Sequence, residues 1–574
     1  MEDSGSPILS TATVVALLIL FYGLTLYVAL RIRKRKENAD AYMTAGNKVG
    51  FGVAAASMTA TWIWASSLYA SATSGYSYGI SGPIHYGLWG ALMILFIYPF
   101  GRRIRQVAPR AHTLAEIMRA RHGSSSQLLL AGSNVVGSVM SLMTNFVAGG
   151  ALIAMFSPLS FVQGVIAVAA GVLLYTFWSG FRASALTDFM QVLAMLLLVG
   201  IIIPIIFFAA GFPQTFETGS ANLTPEQGNF FSSEAFLNQG APYIAAVLAY
   251  AIGNQTIAQR LFAVREDLIK KTFVTATVGY GAMVIGVGML GVMALYLGLE
   301  PVDGDSNNLV PQMAAEYLPT ILIALFLIII IGALSSTADS DLSALSSIVM
   351  ADIYGQNIAK RGLASPKTML FVGRITMIVA TATAVIIAGL QLDILDMLVF
   401  VGALWGALVF PVIASFYWKK VTNRAFVTAV LAALAVFLPV RFDWIPMDVV
   451  VFAVVVDLLN AVGIGVILGL MAFGFFGLKA GQITGALATV VSLPLVFGWM
   501  HEYTVLSASL VAYAVSTLVC VAMSVRSGAS FDFSVIKDRV GDFDERRDED
   551  EPGALGATTD SDQAGRESAG TGRR

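Results

Sequence analysis

The sequence predicts an all-α polytopic membrane protein, on three observations. Hydrophobic residues fill 57% of 574 positions and charged residues only 12%, with a mean hydropathy of +0.77; soluble domains usually carry about 25% charge. Apolar runs long enough to cross a bilayer recur along the chain as far as residue 525. The loops between them alternate between rich in basic residues and almost free of them.

By the ~20-residue criterion, about fifteen runs qualify as transmembrane helices. They fall at 8–30, 50–72, 84–101, 127–156, 161–179 and 184–211, then 241–264, 272–297, 319–349, 368–390 and 394–418. The last four are 425–440, 449–475, 483–497 and 505–525. The first run follows Glu2 and Asp3 rather than the basic stretch of a secretory signal, so it is expected to remain as a helix.

The second run opens on glycines and small residues, then places Trp62, Trp64, Ser66 and Ser67 at mid-membrane. Such a helix is able to unwind locally and free backbone carbonyls, which is tolerated only where the backbone is buried or lines a cavity. On residue types alone, hydroxyls bonding back to the previous turn and close helix packing explain it equally well. The run 319–349 is the other unusual one. After an uninterrupted apolar lead-in it carries Ser335, Ser336, Thr337, Ser340, Ser343, Ser346 and Ser347, with Asp339 and Asp341 among them. Ser336, Ser340, Ser343 and Ser347 form one helical stripe. Charge at membrane depth is costly and marks an ion or substrate path, and hard cations favour such oxygens. For Asp341 alone, structural pairing with a neighbouring hydroxyl or arginine is the favoured reading.

Basic residues gather at Arg31–Lys36, 102–121, Arg182, 265–271, 360–367, 419–424 and Lys479, while the loops 212–240 and 300–317 hold almost none; Arg441 is the exception. This pattern places the N-terminus outside and the C-terminal tail in the cytoplasm of a cell membrane. Beyond 527 the composition turns acidic and small, predicting a disordered tail. Arg182 and Arg260, at helix ends, are expected to anchor at headgroups. His112 and His122 lack metal-ligand spacing, and Asp457 and Asn460 are expected to serve helix packing.

Several classes are excluded. A net charge of −2 gives no case for nucleic acid, and the lone Cys520 forbids an internal disulfide. No catalytic triad, P-loop or dinucleotide fingerprint is present, so neither an enzyme nor an ATP-driven pump is expected. Nothing signals an obligate protein partner; the expected partners are a small-molecule substrate, sodium and the lipid bilayer.

Four motifs carry a resemblance: ATWIWASSLYASATSGYSYG (60–79), GFRASALTDFMQ (180–191), GNQTIAQRLFAV (253–264) and SSTADSDLSALSSIVMADIY (335–354). In this order they resemble the sodium:solute symporter family. WIWA, YGISGP and STADSDLSALSS are most similar to its urea active transporter branch. The resemblance implies a LeuT-like 5+5 inverted-repeat core with extra flanking helices. Residues 1–49 would hold an extra helix and the first cytoplasmic loop, 50–211 the first repeat, 212–240 an external loop and 241–418 the second repeat. Residues 419–527 would be additional helices and 528–574 the tail.

It also implies a site. Sodium would be held by the carbonyls of Ala60, Ile63 and Ala333 and the hydroxyls of Ser336 and Thr337. Asp188, Asp339 and Ser340 would hold a second cation or share a proton; many relatives have a hydroxyl where Asp339 stands. Substrate would meet Trp62, Trp64, Ser66, Ser67, His85, Tyr86, Tyr250, Asn254, Gln255 and Trp405. Without the resemblance, Asn254 and Gln255 read as interhelical glue as readily as ligands. Aromatic walls with neutral donors and acceptors suit a small planar amide such as urea. The implied function is sodium-coupled, or proton-coupled, symport of a small polar solute by alternating access. Its rivals are the same machine for a short-chain carboxylate, amino acid or polyamine, a membrane sensor on the same fold, and a passive channel.

Overall fold

Lipid forces every backbone polar group to find a partner within the chain, and helices are what the apolar runs become. The computed structural model describes residues 8–32, 39–359, 365–390, 394–541 and 543. Thr11–Ile32 (α1) and Ala39–Thr44 (α2) lead into Phe51–Trp62 (α3), Ala65–Tyr78 (α4) and Ser81–Val107 (α5). Leu114–Arg121 (α6), Ser124–Phe156 (α7) and Phe161–Leu197 (α8) follow, then three short helices, Ile203–Ala209 (α9), Gln214–Gly219 (α10) and Ser233–Ala235 (α11). Next come Ala241–Gly253 (α12), Gln255–Ala263 (α13), Ile269–Leu297 (α14), Leu309–Tyr317 (α15), Thr320–Ile348 (α16), Pro366–Ala388 (α17) and Ile394–Tyr417 (α18). Asn423–Arg441 (α19), Val450–Phe476 (α20), Leu478–Val496 (α21), Thr504–Val525 (α22) and Ser534–Arg539 (α23) complete the order.

Among the described residues 13 helices are long and apolar enough to cross a membrane. The two remaining predicted runs, 50–72 and 394–418, are the interrupted pair α3–α4 and α18. Ile19, Leu20, Val450, Val451, Ile483 and Val490 face outward, as lipid contact requires.

Two interruptions shape the centre. Between α3 and α4, Ile63 and Trp64 leave helical geometry, with ψ of 91° and 172°. The carbonyls this frees are met from side chains: Ser67 donates to the Trp62 carbonyl at 3.3 Å and Thr337 to the Ile63 carbonyl at 2.9 Å. Between α12 and α13 the chain extends at Asn254, with ψ 133°. There Asn134 of α7 donates to the Gly253 carbonyl at 2.9 Å and accepts from the Gln255 N–H at 2.6 Å. The Asn254 side chain caps the Thr256 N–H at 2.6 Å.

Close helix approach depends on missing side chains. A Cβ on Gly291 of α14 would come within 1.7 Å of the Ala72 carbonyl oxygen, so α4 and α14 pack backbone to backbone. In α8, Gly180 takes a φ of 51° and bends the helix where Tyr42 presses against it. α16 runs through the middle: every residue from Ile329 to Ile348 is buried. As expected, Asp457 and Asn460 serve packing. Asp457 accepts from the N–H groups of Gly498 and His501 at 2.7 and 2.9 Å, and Asn460 meets Ser507 at 2.9 Å.

The expected disordered tail needs correction over its first part. Phe531 bonds to the Lys419 carbonyl at 3.1 Å, the Arg121 guanidinium lies 4.0 Å from the Phe531 ring centre, and Arg539 donates to the Ala120 carbonyl at 3.1 Å. Aromatic residues against arginine faces give this segment contacts that its polar composition hid. Residues 544–574 of the tail lie outside the described residues.

Candidate functional site

α16 lies against α3, α7 and α8, and its polar half has no water to turn to. Its hydroxyls and carboxylates are therefore shared out among the neighbours.

Of the residues implied as sodium ligands, Ala60, Ile63 and Thr337 meet at the first break. Thr337 closes on the Ile63 carbonyl at 2.9 Å, while the Ala60 carbonyl accepts the Ile63 N–H at 3.0 Å. Ala333 sits one turn before Thr337 and is buried. Ser336 gives its proton to Asp188 at 2.5 Å. A hydroxyl has one proton and two lone pairs, so a proton fixed on Asp188 leaves the Ser336 oxygen free to face a cation.

One turn toward the basic loops lies a saturated acidic network. Asp188 also accepts from Ser57 at 2.6 Å and from the Arg260 guanidinium at 3.0 Å. Asp339 accepts from Tyr175 at 2.6 Å and from Ser184 at 2.5 Å. Arg260 donates to Ser340 at 2.5 Å, and Ser340 meets Thr61 at 3.1 Å. Arg260 is only 3% exposed and further donates to the carbonyls of Ser57 and Thr256. It is no headgroup anchor: the α12–α13 break turns its helix inward and every arm of its fork is used. Tyr175 and Ser57 had no sequence signal, whereas Thr61 lay inside the 60–79 motif. Ser184 likewise lay one turn before Asp188 in that residue's motif.

The aromatic residues form a box around Tyr250. Its ring lies 5.1 Å from Trp62, 4.5 Å from Trp64 and 5.2 Å from Trp405. Trp405 is seated between two glycines: a Cβ on Gly137 would meet its ring at 2.2 Å, and one on Gly253 at 3.2 Å. Ser67 touches the Tyr280 hydroxyl at 3.3 Å, Tyr280 meets Tyr243 at 2.7 Å, and Tyr243 stacks on Tyr86 at 4.1 Å. This hydroxyl string, in which Tyr243 and Tyr280 were missed, ends at an open cavity of about 470 Å³ at the end away from the basic loops. Tyr86, Tyr243, Asn238, Gln239 and Glu502 line it.

Two predicted substrate residues stand apart from the box. His85 accepts from the Trp89 indole at 3.0 Å and packs on Phe231 and Phe236 of the 212–240 loop. Gln255 is spent on the turn before α6, donating to the His112 carbonyl at 2.8 Å and accepting from the Leu114 N–H at 3.0 Å. The side chain of Ser66 lies outside the described residues. Asn254 stays with the box: Thr256 bonds both its amide oxygen and the Tyr250 hydroxyl.

Outside the membrane-spanning helices, His112 sits between Asp40 at 3.0 Å and Glu116 at 3.3 Å. Burial by itself would lower its pKa, but hydrogen bonds and charge from the two carboxylates hold it up to about 10.

Known proteins were compared with this geometry in hand. "Probable urea active transporter 1" of Schizosaccharomyces pombe is 26% identical over 398 residues, covering 64% of this chain and 59% of that protein. This chain thus spans less than two thirds of that relative's length. The "Sodium/pantothenate symporter" of Escherichia coli is 25% identical over 433 residues, covering 73% of this chain and 87% of that one. Among solved structures, the outward-open, substrate-bound state of a Na+-coupled sialic acid symporter superimposes with a TM-score of 0.62. It is 18% identical and covers 86% of this chain and 98% of that one. The fold is therefore LeuT-like, a 5+5 inverted-repeat core with flanking helices. The family sequence profile matches residues 42–432, and the chain belongs to the sodium:solute symporter family.

Proposed function

We propose that this protein is a sodium-coupled symporter that imports urea by alternating access between its two repeats, about 50–211 and 241–418. The observation that carries this is the 2.9 Å contact between the Thr337 hydroxyl and the Ile63 carbonyl, where α16 meets the broken helix. Sodium entering there exchanges one hydrogen bond for contacts to the carbonyls of Ala60, Ile63 and Ala333 and the oxygens of Ser336 and Thr337. Neutral oxygens suit a monovalent ion that must leave again. Tying the two repeats together, the ion stabilises the state open away from the basic loops, and its loss toward Asp188 releases them.

In the second acidic site, a shared proton is favoured over a second sodium. Arg260 already supplies a fixed cation to Asp188 and Ser340, and one proton on Asp188 or Asp339 makes two carboxylates and one guanidinium neutral. Basic loops gathered at one end support a cytoplasmic face there, with the N-terminus outside and the tail inside. Each cation carried inward through 100 mV contributes ~2.3 kcal/mol, enough for well over about tenfold accumulation of an uncharged solute once the sodium gradient is added.

Urea is favoured by the box itself, which offers flat aromatic walls and amide and hydroxyl groups around Tyr250, while the neighbouring Arg260 is spent on Asp188 and Ser340 rather than left for a carboxylate. The test is uptake of labelled urea into proteoliposomes under an imposed sodium gradient. Wild type should accumulate urea only with the gradient, and the double variant Ser336→Ala/Thr337→Ala should lose the sodium dependence. Uptake that is equal with and without sodium would overturn the assignment.

A further inference from the structure

Buried polar atoms without partners are rare in folded proteins, and several of them gather here at one place. Both carboxylate oxygens of Asp341 lack a hydrogen-bond partner although the residue is fully buried. Ser138 and Ser141, on the facing side of α7, are its hydrogen-bonding neighbours, although neither hydroxyl closes to full bonding distance, and Arg260 acts on it through space. Tyr250, whose ring is the centre of the aromatic box, feels the Asp341 charge. Around that ring two donors are also unused: the Asn254 Nδ2 amide and the Trp405 Nε1 indole. Both belong to residues that are 1% exposed.

A bare carboxylate, two hydroxyls and two bare N–H donors do not satisfy one another, since the five residues are held by four different elements. Asn254 is fixed by its bond to Thr256, and Trp405 by Gly137 and Gly253 on either side. The unmet needs are complementary to a ligand that brings N–H donors on one side and a carbonyl oxygen on the other. A guanidinium or amine would satisfy Asp341 but leave the Asn254 and Trp405 donors bare. A carboxylate would satisfy the donors and oppose Asp341. Leaving several buried polar groups unmatched is what lets such a site reject near-isosteres strongly.

We propose that Asp341, Ser138, Ser141, Asn254 and Trp405 form the amide-recognition subsite for the transported solute. Asp341 and the serine hydroxyls take its N–H groups, and Asn254 and Trp405 give hydrogen bonds to its carbonyl. The substrate class is small primary amides and ureas. This rests on the sodium-symport assignment above and names the residues that select its solute.

The experiment uses full-length protein in proteoliposomes adsorbed on a capacitive sensor. A sodium jump without solute reads charge displacement at the ion site; a solute jump in sodium reads the sustained transport current. The probes are urea, acetamide, tetramethylurea, guanidinium and acetate. Wild type should give current with urea and acetamide, and none with tetramethylurea, which has no N–H, or with acetate. Asp341→Asn should keep the sodium displacement and raise the half-saturating urea concentration at least tenfold. Trp405→Phe, which keeps a ring and removes one donor, should raise it at least threefold. An unchanged half-saturation in Asp341→Asn, loss of its sodium displacement, or a guanidinium current larger than the urea current overturns the subsite. Should Asp341→Asn fail to fold, an unchanged half-saturation in Trp405→Phe overturns it instead. No current with any probe while sodium still moves charge overturns the amide assignment alone. No sodium displacement in wild type brings down the symport assignment, and the subsite with it.

Discussion

Asp339 and Asp341 stand two residues apart on α16, both fully buried, and their surroundings are opposite. The first accepts short hydrogen bonds from Tyr175 and Ser184 and shares a network with Asp188 and Arg260. The second has no partner on either oxygen. About 200° of helical rotation separates the two, so one faces α8 and the other faces α7. A bare buried carboxylate costs several kcal/mol by most measures. Under the subsite proposed above, the second carboxylate is left for a group that arrives and departs.

The largest effect should come from breaking the saturated side. Arg260→Met leaves Asp188 without its counter-charge, and Asp188→Asn leaves Arg260 without its own. Removing one member of a buried pair typically costs about 3–5 kcal/mol. Each variant should show a matching fall in stability when the purified protein is unfolded thermally. Arg260→Lys should rescue little, because the guanidinium bonds Asp188, Ser340, Ser57 and Thr256 at once and an ammonium has no fork. Unfolding indistinguishable from wild type in both variants would show the network to be weakly held.

This asymmetry explains how far the sequence could be read. The helices were legible because lipid leaves a long apolar run no other structure. The first break was legible as a tendency, in small residues and hydroxyls around Trp62 and Trp64, and Thr337 could be aimed at Ile63 only through the family motif. Arg260 was not legible: its partner Asp188 is 72 residues away in sequence, and the break at Asn254 reorients the helix that carries it. The contrast between Asp339 and Asp341 was equally hidden. One helix face presents hydroxyls from α8 and the other hydroxyls from α7, and no local pattern says which pair closes to bonding distance. The contacts of Phe531 and Phe533 were hidden too, since the arginines they cover lie some 400 positions earlier, at Arg121 and Arg103.

On the Asp341 side, packing sets the next largest effect. Gly137→Ala places a methyl group 2.2 Å from the Trp405 ring, which must move or strain its helix. Overpacking of this kind costs about 1–3 kcal/mol. The variant should unfold at lower temperature and need more urea for half-maximal uptake, because the displaced indole carries one of the unused donors. Gly132→Ala on the same helix meets nothing within 4 Å and should behave as wild type. Equal behaviour of the two variants would detach Trp405 from the solute site.

A third pair of carboxylates, Asp40 and Glu116, is satisfied by a partner that can be switched off. His112 between them has its pKa raised from 6.5 to about 10. A raised folded-state pKa means stabilisation that is complete below the unfolded value and is lost as pH rises through the folded one. The window therefore runs from about 6.5 up to about 10, with a slope of at most about 1.4 kcal/mol per pH unit. Melting temperature measured from pH 7 to 9 should fall faster for wild type than for His112→Gln. Parallel curves would mean that the imidazolium does not hold α2 to α6.

The smallest effect is the most discriminating. Asp341→Asn is the same chemical change as Asp188→Asn, made on a neighbouring face of the same core. At Asp188 it strands an arginine. At Asp341 it breaks no closed hydrogen bond and removes a buried charge whose nearest donors, Ser138 and Ser141, stand beyond full bonding distance, so unfolding should shift by less than about 0.5 kcal/mol or move toward greater stability. A loss comparable to that of Asp188→Asn would mean that Asp341 is already satisfied in the folded protein, through Ser138 and Ser141, and that both carboxylates serve the structure. Stability retained together with impaired urea uptake would separate them: one carboxylate holds the repeats together, and the other holds what they carry.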